Sequence, residues 1–275
     1  MADHNPAQKL RVNVDIQGSS HDGLSGFYEV FLRRFKFVGH VMILVPLYAL
    51  ASICLGLSLA PALALYNFVS AATASWPFWF QYPALGISVG VGYFLYGFTL
   101  ILVVPAANAL MTAYLKPWRG PYYSVGAMRW YIHNALTYVA RYTFLEFVTP
   151  TPFNIMFYRL MGMRIGRGTQ LNSTHISDPS LITIGENVTI GGSATIVGHY
   201  GVGGFLVMAP VTIGNGATVG LKATIMGGVT IGENVKVLPN SVVLPKTKIP
   251  SGETWGGVPA QKIEIAKLKR TKEVA

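Results

Sequence analysis

In the C-terminal part of the chain, His175, Asp178 and His199 are the side chains whose types suit proton transfer. An imidazole titrates near neutral pH and can take a proton from a hydroxyl or an amine. A carboxylate beside it can hold the ring in one tautomer and orientation. Together they fit acyl transfer, which needs a base on the acceptor and a hydrogen-bond donor for the oxyanion. His199 closes the segment ATIVGH and directly precedes the uncharged stretch YGVGGFLVMAP at 200–210. A histidine at such a corner is either a base or simply solvated. His175 and Asp178 lie in NSTHISDP at 172–179. His175 either shares a cleft with His199 or caps a turn. Asp178 either orients a histidine or holds its own turn, since Asp before Pro179 is a common turn pair. Asn172 has the same two readings, orienting a substrate or accepting a turn bond.

These side chains sit in a six-residue repeat. From Ile182 the chain reads ITIGEN, VTIGGS, ATIVGH, and after the 200–210 interruption VTIGNG, ATVGLK, ATIMGG, VTIGEN, VKVLPN, SVVLPK, TKIPSG. The third place is always Ile or Val, from Ile184 to Ile249, and the first is small or β-branched. Alternation within each six predicts a short strand with two inward side chains. The Gly and Asn residues that follow permit a backbone corner. Three such strands close a triangular coil, and successive coils stack their aliphatic residues in a central ladder.

Upstream the composition is of another kind. The 275 residues are 51% hydrophobic and 12% charged, with mean hydropathy +0.43, which excludes a disordered chain and an ordinary water-soluble domain. The formal charge of +10 suits an anionic membrane surface, and the low overall charge density favours it over nucleic acid. Cys54 is the single cysteine, so no intramolecular disulfide or Cys-rich zinc cluster forms. From Phe37 to Leu115 there is no Asp, Glu, Lys or Arg. Apolar runs at about 38–60 and 84–106 are each long enough to cross a bilayer, joined by the aromatic and proline-rich 74–83. Arg33, Arg34 and Lys36 precede the pair, and Lys116, Arg119 and Arg129 follow it. Both flanks are therefore expected in the cytoplasm, with no cleavable signal peptide. Residues 116–162, where aromatics alternate with Arg, read as amphipathic helices lying in the interface, His133 among their interfacial side chains.

The hexads resemble those of the hexapeptide-repeat acyltransferases, over about 163–263. The resemblance implies a left-handed parallel β-helix, an exception to the usual crossover hand, and a homotrimer with active sites between neighbouring prisms. The expected fold class is thus α + β: a transmembrane helical pair with interfacial helices, then the β-helix, then a basic tail at 264–275. TPFNIMFYRLMGMRIGRG, HISDPSLITIG and ETWGGVPAQ, with the apolar pair, also resemble the membrane-embedded C-terminal part of poly-lysine-synthetase-type peptide synthetases.

By the same resemblance His199, before the break in the repeats, is the catalytic base, with His175 and Asp178 as companions. The donor is acetyl-CoA or another acyl-CoA. Gly220, Ala223 and Gly228 are the small positions beside which its pantetheine arm would run, or they pack coil corners. In GGVPAQKI at 256–263, Gln261 stands where the family often has Lys, which leaves Lys262 for the phosphate end. No Walker A or dinucleotide fingerprint is present. Hexapeptide-repeat carbonic anhydrases use three histidines for zinc, and the repeat region here has two, so no metal is expected. The sequence therefore points to a membrane-anchored acyltransferase of the inner membrane with a membrane-associated or amphiphilic acceptor. The rival reading is a non-catalytic β-helix scaffold within a membrane complex. The acceptor inference rests on the loop tip Phe205–Met208, expected either to dip toward the bilayer or to pack on a neighbouring subunit or on the segment after the second apolar run.

Overall fold

The computed structural model describes residues 18–19, 22–111 and 114–264; most of the polar N-terminal segment and the basic tail lie outside them. A short helix α1 (Gly23–Arg34) leads into α2 (Lys36–Ala72) and α3 (Phe78–Leu110). The latter two have 37 and 33 residues and are long and apolar enough to cross a membrane. They run well past the apolar cores at 38–60 and 84–106, and they contain Pro46, Pro61, Pro83 and Pro105. They pack along each other, with Gly92 against Ala62. Hydroxyls are satisfied within the helices: Ser58 donates to the Cys54 carbonyl and Thr99 to that of Leu95, as a hydroxyl in an apolar setting must.

The segment after α3 adds a strand to the expected helices. Strand β1 (Trp118–Pro121) comes first. Helix α4 (Met128–Ala140) follows, continuing through a π-helical turn at Arg141–Leu145, and then α5 (Pro152–Leu160). The start of α5 is written locally: Thr151 accepts from the Phe153 N–H, and Pro152 takes the first position, where no N–H is needed. This segment packs inward. A Cβ on Gly97 of α3 would overlap the Phe144 ring at 2.1 Å, so that ring requires the glycine. His133, read as interfacial, is fully buried instead, its Nδ1 2.9 Å from Oδ1 of Asn108. The polar ring finds a partner on α3, and Leu136 and Ala140, further along the same helix, are buried with it.

From Arg164 the chain winds into stacked coils of parallel strands on three faces. One face stacks 164–165, 182–184, 211–213, 230–231 and 248–249. The others are built on 170–171, 189–190, 218–219, 236–237 and 254–256, and on 176–177, 195–197, 224–225 and 242–243. Register keeps like residues stacked: Ile184 on Ile213, Ile213 on Ile231, Ile231 on Ile249. Each is buried, worth about 1.5–3 kcal/mol per side chain removed from water. The sixth place of every hexad but the one ending at His199 turns the corner in the left-handed region, at Asn187, Ser193, Lys222, Asn234, Asn240 and Lys246 as well as at Gly216, Gly228 and Gly252.

The interruption forms a hairpin, β2 (His199–Val202) and β3 (Phe205–Met208), and β1 pairs antiparallel with β3. The 205–208 strand is therefore no free tip. Leu206 and Met208 are buried with Leu115, Ala127 and Leu181, and Phe205 lies under the Arg119 guanidinium. The helical region and the coil share one core. Leu100, Leu136, Phe144 and Phe157 are continuous with Leu171 and Ile176, and Tyr158 donates its hydroxyl to the Thr174 carbonyl.

Candidate functional site

The hairpin opens where the coil strand 195–197 ends, so His199 stands at the coil corner that the sequence marks as broken. Directly beneath it in the preceding coil is Asp178, held at φ 62°, ψ 49° before Pro179 and fully buried. Left-handed backbone at a non-glycine residue is uncommon, and Asp is among the types that tolerate it. The geometry is used: Nδ1 of His199 lies 2.5 Å from Oδ2 of Asp178. The same oxygen accepts the Gly198 N–H at 3.0 Å, and Oδ1 accepts the Asn134 amide at 2.8 Å. The Gly198 N–H and the Asn134 amide are donors, the complement of an ionised carboxylate. With a carboxylate on Nδ1, the proton of a neutral imidazole resides there, and Nε2 is left with its lone pair. The side chain of His199 is 22% exposed while that of Asp178 is 0%, so the ring faces outward from a buried anchor. A pair so arranged has the chemistry of a base with an acid to orient it.

Two residues of α4 complete the enclosure, and sequence reasoning missed both. Trp130 sets its ring edge-on to the His199 ring, with centroids 5.1 Å apart. Asn134, one turn on, bonds Asp178 and also donates to the Trp130 carbonyl at 3.1 Å. Their i, i+4 spacing puts them on one helix face, but nothing in the sequence ties that face to residues 178 and 199. Gly198 also belongs to the site, because a Cβ there would stand 2.9 Å from Cβ of Leu181 and 3.1 Å from that of Asp178.

His175 makes no bond to Asp178 or His199. It faces a separate polar group in which Arg141 lies 3.9 Å from Glu146 and Thr174 donates to Glu146. Burial lowers its pKa, the Arg141 charge lowers it further, and Glu146 opposes both. Asn172 is exposed and donates its backbone N–H to the Ile190 carbonyl. Ala223 is fully buried in the ladder, its N–H bonded to the Gly220 carbonyl, so its side chain cannot line a donor channel. A Cβ on Gly220 would meet the Pro239 nitrogen at 2.5 Å, and one on Gly228 would meet Lys246 and Ala209. Both glycines let coils stack closely. Lys262 is exposed and paired with Glu253 at 2.5 Å. That bond, with one from the Trp255 indole, holds the Glu253 carboxyl below its ordinary pKa. Among the described residues no group of three His, Cys, Asp or Glu side chains could hold a metal ion.

Comparison with known proteins gives three findings. The family described as the hexapeptide repeat of succinyl-transferase matches residues 181–202 and 210–245. The Delta-poly-L-ornithine synthetase of Acinetobacter baumannii (strain AB307-0294) is 26% identical over 240 residues, which are 86% of this chain and 17% of that protein's length. The chain thus spans about a sixth of the curated relative it matches. Solved structures similar to it include a hexapeptide-repeat acetyltransferase from Vibrio cholerae, at 18% identity and TM-score 0.37 over 48% of this chain and 89% of that one. A galactoside acetyltransferase in complex with coenzyme A aligns at 22% identity and TM-score 0.36 over 48% of this chain and 80% of that one. Residues 181–202 and 210–245 thus carry the hexapeptide repeat, and the three-faced coil of parallel strands is the fold those hexads build.

Proposed function

We propose that the chain is a membrane-anchored acyltransferase in which His199 is the general base and Asp178 its orienting acid. The observation that carries this is the 2.5 Å contact between the two at the one break in the hexads. His199 Nε2 takes the proton of an acceptor hydroxyl or amine as its heteroatom attacks the carbonyl of an acyl thioester. The C–S bond breaks when the tetrahedral intermediate collapses, and the proton passes to the leaving thiolate. The donor is acetyl-CoA or another acyl-CoA. Lys262, exposed and able to exchange Glu253 for a phosphate, is the residue best suited to its nucleotide end.

The anchoring is supported by the length and apolarity of α2 and α3. In this reading residues 37–115 form the transmembrane pair, 116–162 an amphipathic collar beside it, and 163–263 a left-handed β-helix in the cytoplasm. The acceptor is membrane-associated, because the base rests against α4, and α4 packs on α3. The functional unit is a homotrimer: Leu221 and Leu244 are exposed on the coil surface, apolar area that a neighbouring prism would cover.

A second reading rests on the match to the poly-ornithine synthetase, which spans helices as well as coil. There the acyl group is an amino acid and the acceptor an amine, so the product is an amide.

The deciding assay follows thiol release from acyl-CoA by the detergent-purified protein, with membrane lipid extract, soluble sugars or amines as acceptors. His199→Ala is expected to lower the rate by about 10²–10⁴ with trimer and fold retained. Full turnover in that variant rejects the assignment. Thiol release from an aminoacyl thioester and an amine alone selects the second reading, and no release from any pair selects a scaffold.

A further inference from the structure

The dyad is not built by the coil alone. Asp178 has two oxygens: one faces His199 and the Gly198 N–H, and the other faces the side-chain amide of Asn134, 44 residues earlier on α4. Asn134 is itself fixed. It is nearly buried, its amide also donates to the Trp130 carbonyl, and the Trp130 ring abuts His199. The adjacent His133 is fully buried and bonded to Asn108 near the end of α3. One helix face therefore grips both members of the dyad, and that helix is tied to the second long apolar helix.

We propose that Asn134 is a positioning residue of the site. It holds the Asp178 carboxylate from behind, so that Oδ2 is presented to Nδ1 of His199 and the ring keeps a single tautomer. The helical region thereby supplies the donor to Oδ1 that the hexads, which give Oδ2 the Gly198 N–H, do not. The inference rests on the acyl-transfer reading only for its consequence, because the geometry it asserts is independent of any substrate.

Without the Asn134 amide, Oδ1 of a fully buried carboxylate has no donor of its own. The carboxylate would then rotate to share its remaining donors, and its grip on Nδ1 would loosen.

The test uses the full chain in detergent with ¹⁵N-labelled histidine, of which there are six, and assigns the His199 signals by their loss in His199→Ala. In the parent protein the neutral His199 ring should give the chemical-shift pair of an Nδ1–H tautomer. In Asn134→Ala the two nitrogen shifts should converge toward those of a mixed population. Should that variant fail to accumulate, Asn134→Leu keeps the volume and makes the same test. An unchanged tautomer in the variant overturns the proposal, whatever happens to transfer. If transfer is established, the variant should also lose about tenfold in kcat with KM little changed. Loss in KM alone overturns the positioning role. A converged tautomer in a protein whose His199→Ala variant still transfers leaves the positioning intact and removes the acyl-transfer reading instead.

Discussion

Gly227 lies against the backbone of His199: a Cβ built on it would stand 3.0 Å from both the amide nitrogen and the carbonyl carbon of that histidine. One coil thus supports the corner of the coil before it. Gly227→Ala meets no backbone strain of its own, so its effect is to push His199 outward by a few tenths of an ångström. Transfer should fall severalfold to about tenfold, while stability drops by about 1–3 kcal/mol from the overpacking. Kinetics and denaturant unfolding of the same preparation check both halves.

Asp178→Asn keeps the shape of the side chain, and Asn also tolerates the left-handed backbone found there. It removes the charge that sets the His199 tautomer. The expected loss is about 10²–10⁴ in kcat with the fold retained, as when a triad acid is amidated. A rate within threefold of the parent would remove Asp178 from the mechanism.

Lys222 occupies a coil corner at φ 55° with its side chain exposed. Left-handed backbone costs a side-chain-bearing residue about 1–2 kcal/mol that glycine escapes. Lys222→Gly should therefore hold or raise the unfolding midpoint, and Lys222→Val should lower it. Thermal melts of the pair measure the difference, and equal midpoints would mean the corner relaxes.

Burial pushes the pKa of His133 down to about 4, and the nearby Asp178 only partly offsets this. The unfolded chain, with an ordinary histidine near 6.5, then binds a proton that the folded chain refuses. Between pH 6.5 and 4 the unfolded state carries more protons, so stability rises with pH across that window. It falls on acidification by about 1.4 kcal/mol per pH unit. His133→Gln, which keeps an amide opposite Asn108, should flatten that part of the profile. Unfolding followed from pH 7 to 4.5 for both proteins provides the comparison, and parallel profiles would mean that His133 takes up its proton in the folded state.

Cysteines introduced at Ser75 and Glu186 in a Cys54→Ser background probe the orientation, both positions being exposed. With α2 and α3 crossing the membrane and their cationic flanks inside, an impermeant thiol reagent applied to intact cells should label position 75 and spare position 186. The reverse pattern would invert the topology.

Much of this protein is written locally. The hexads prescribe short strands because a two-residue alternation buries the third place of each and nearly every first place, and the sixth place, except at His199, supplies Gly, Asn or another residue held at positive φ. The charge-free run prescribes two long helices, since a helix satisfies its backbone groups internally wherever water is excluded. Asp178 and His199 were legible as candidates from residue type and from the break in the repeat. The tertiary structure alone decided that they meet, because coil stacking brings the end of strand 195–197 over the corner after 176–177. It set His175 apart with Arg141 and Glu146, and it turned Ala223 inward. It drew the apolar loop under β1, because strand pairing satisfies a hairpin edge better than solvent does. Trp130 and Asn134 were invisible beforehand for the same reason. Their partners are distant in the chain, and no local pattern encodes which face of a helix will lie against which corner of a coil.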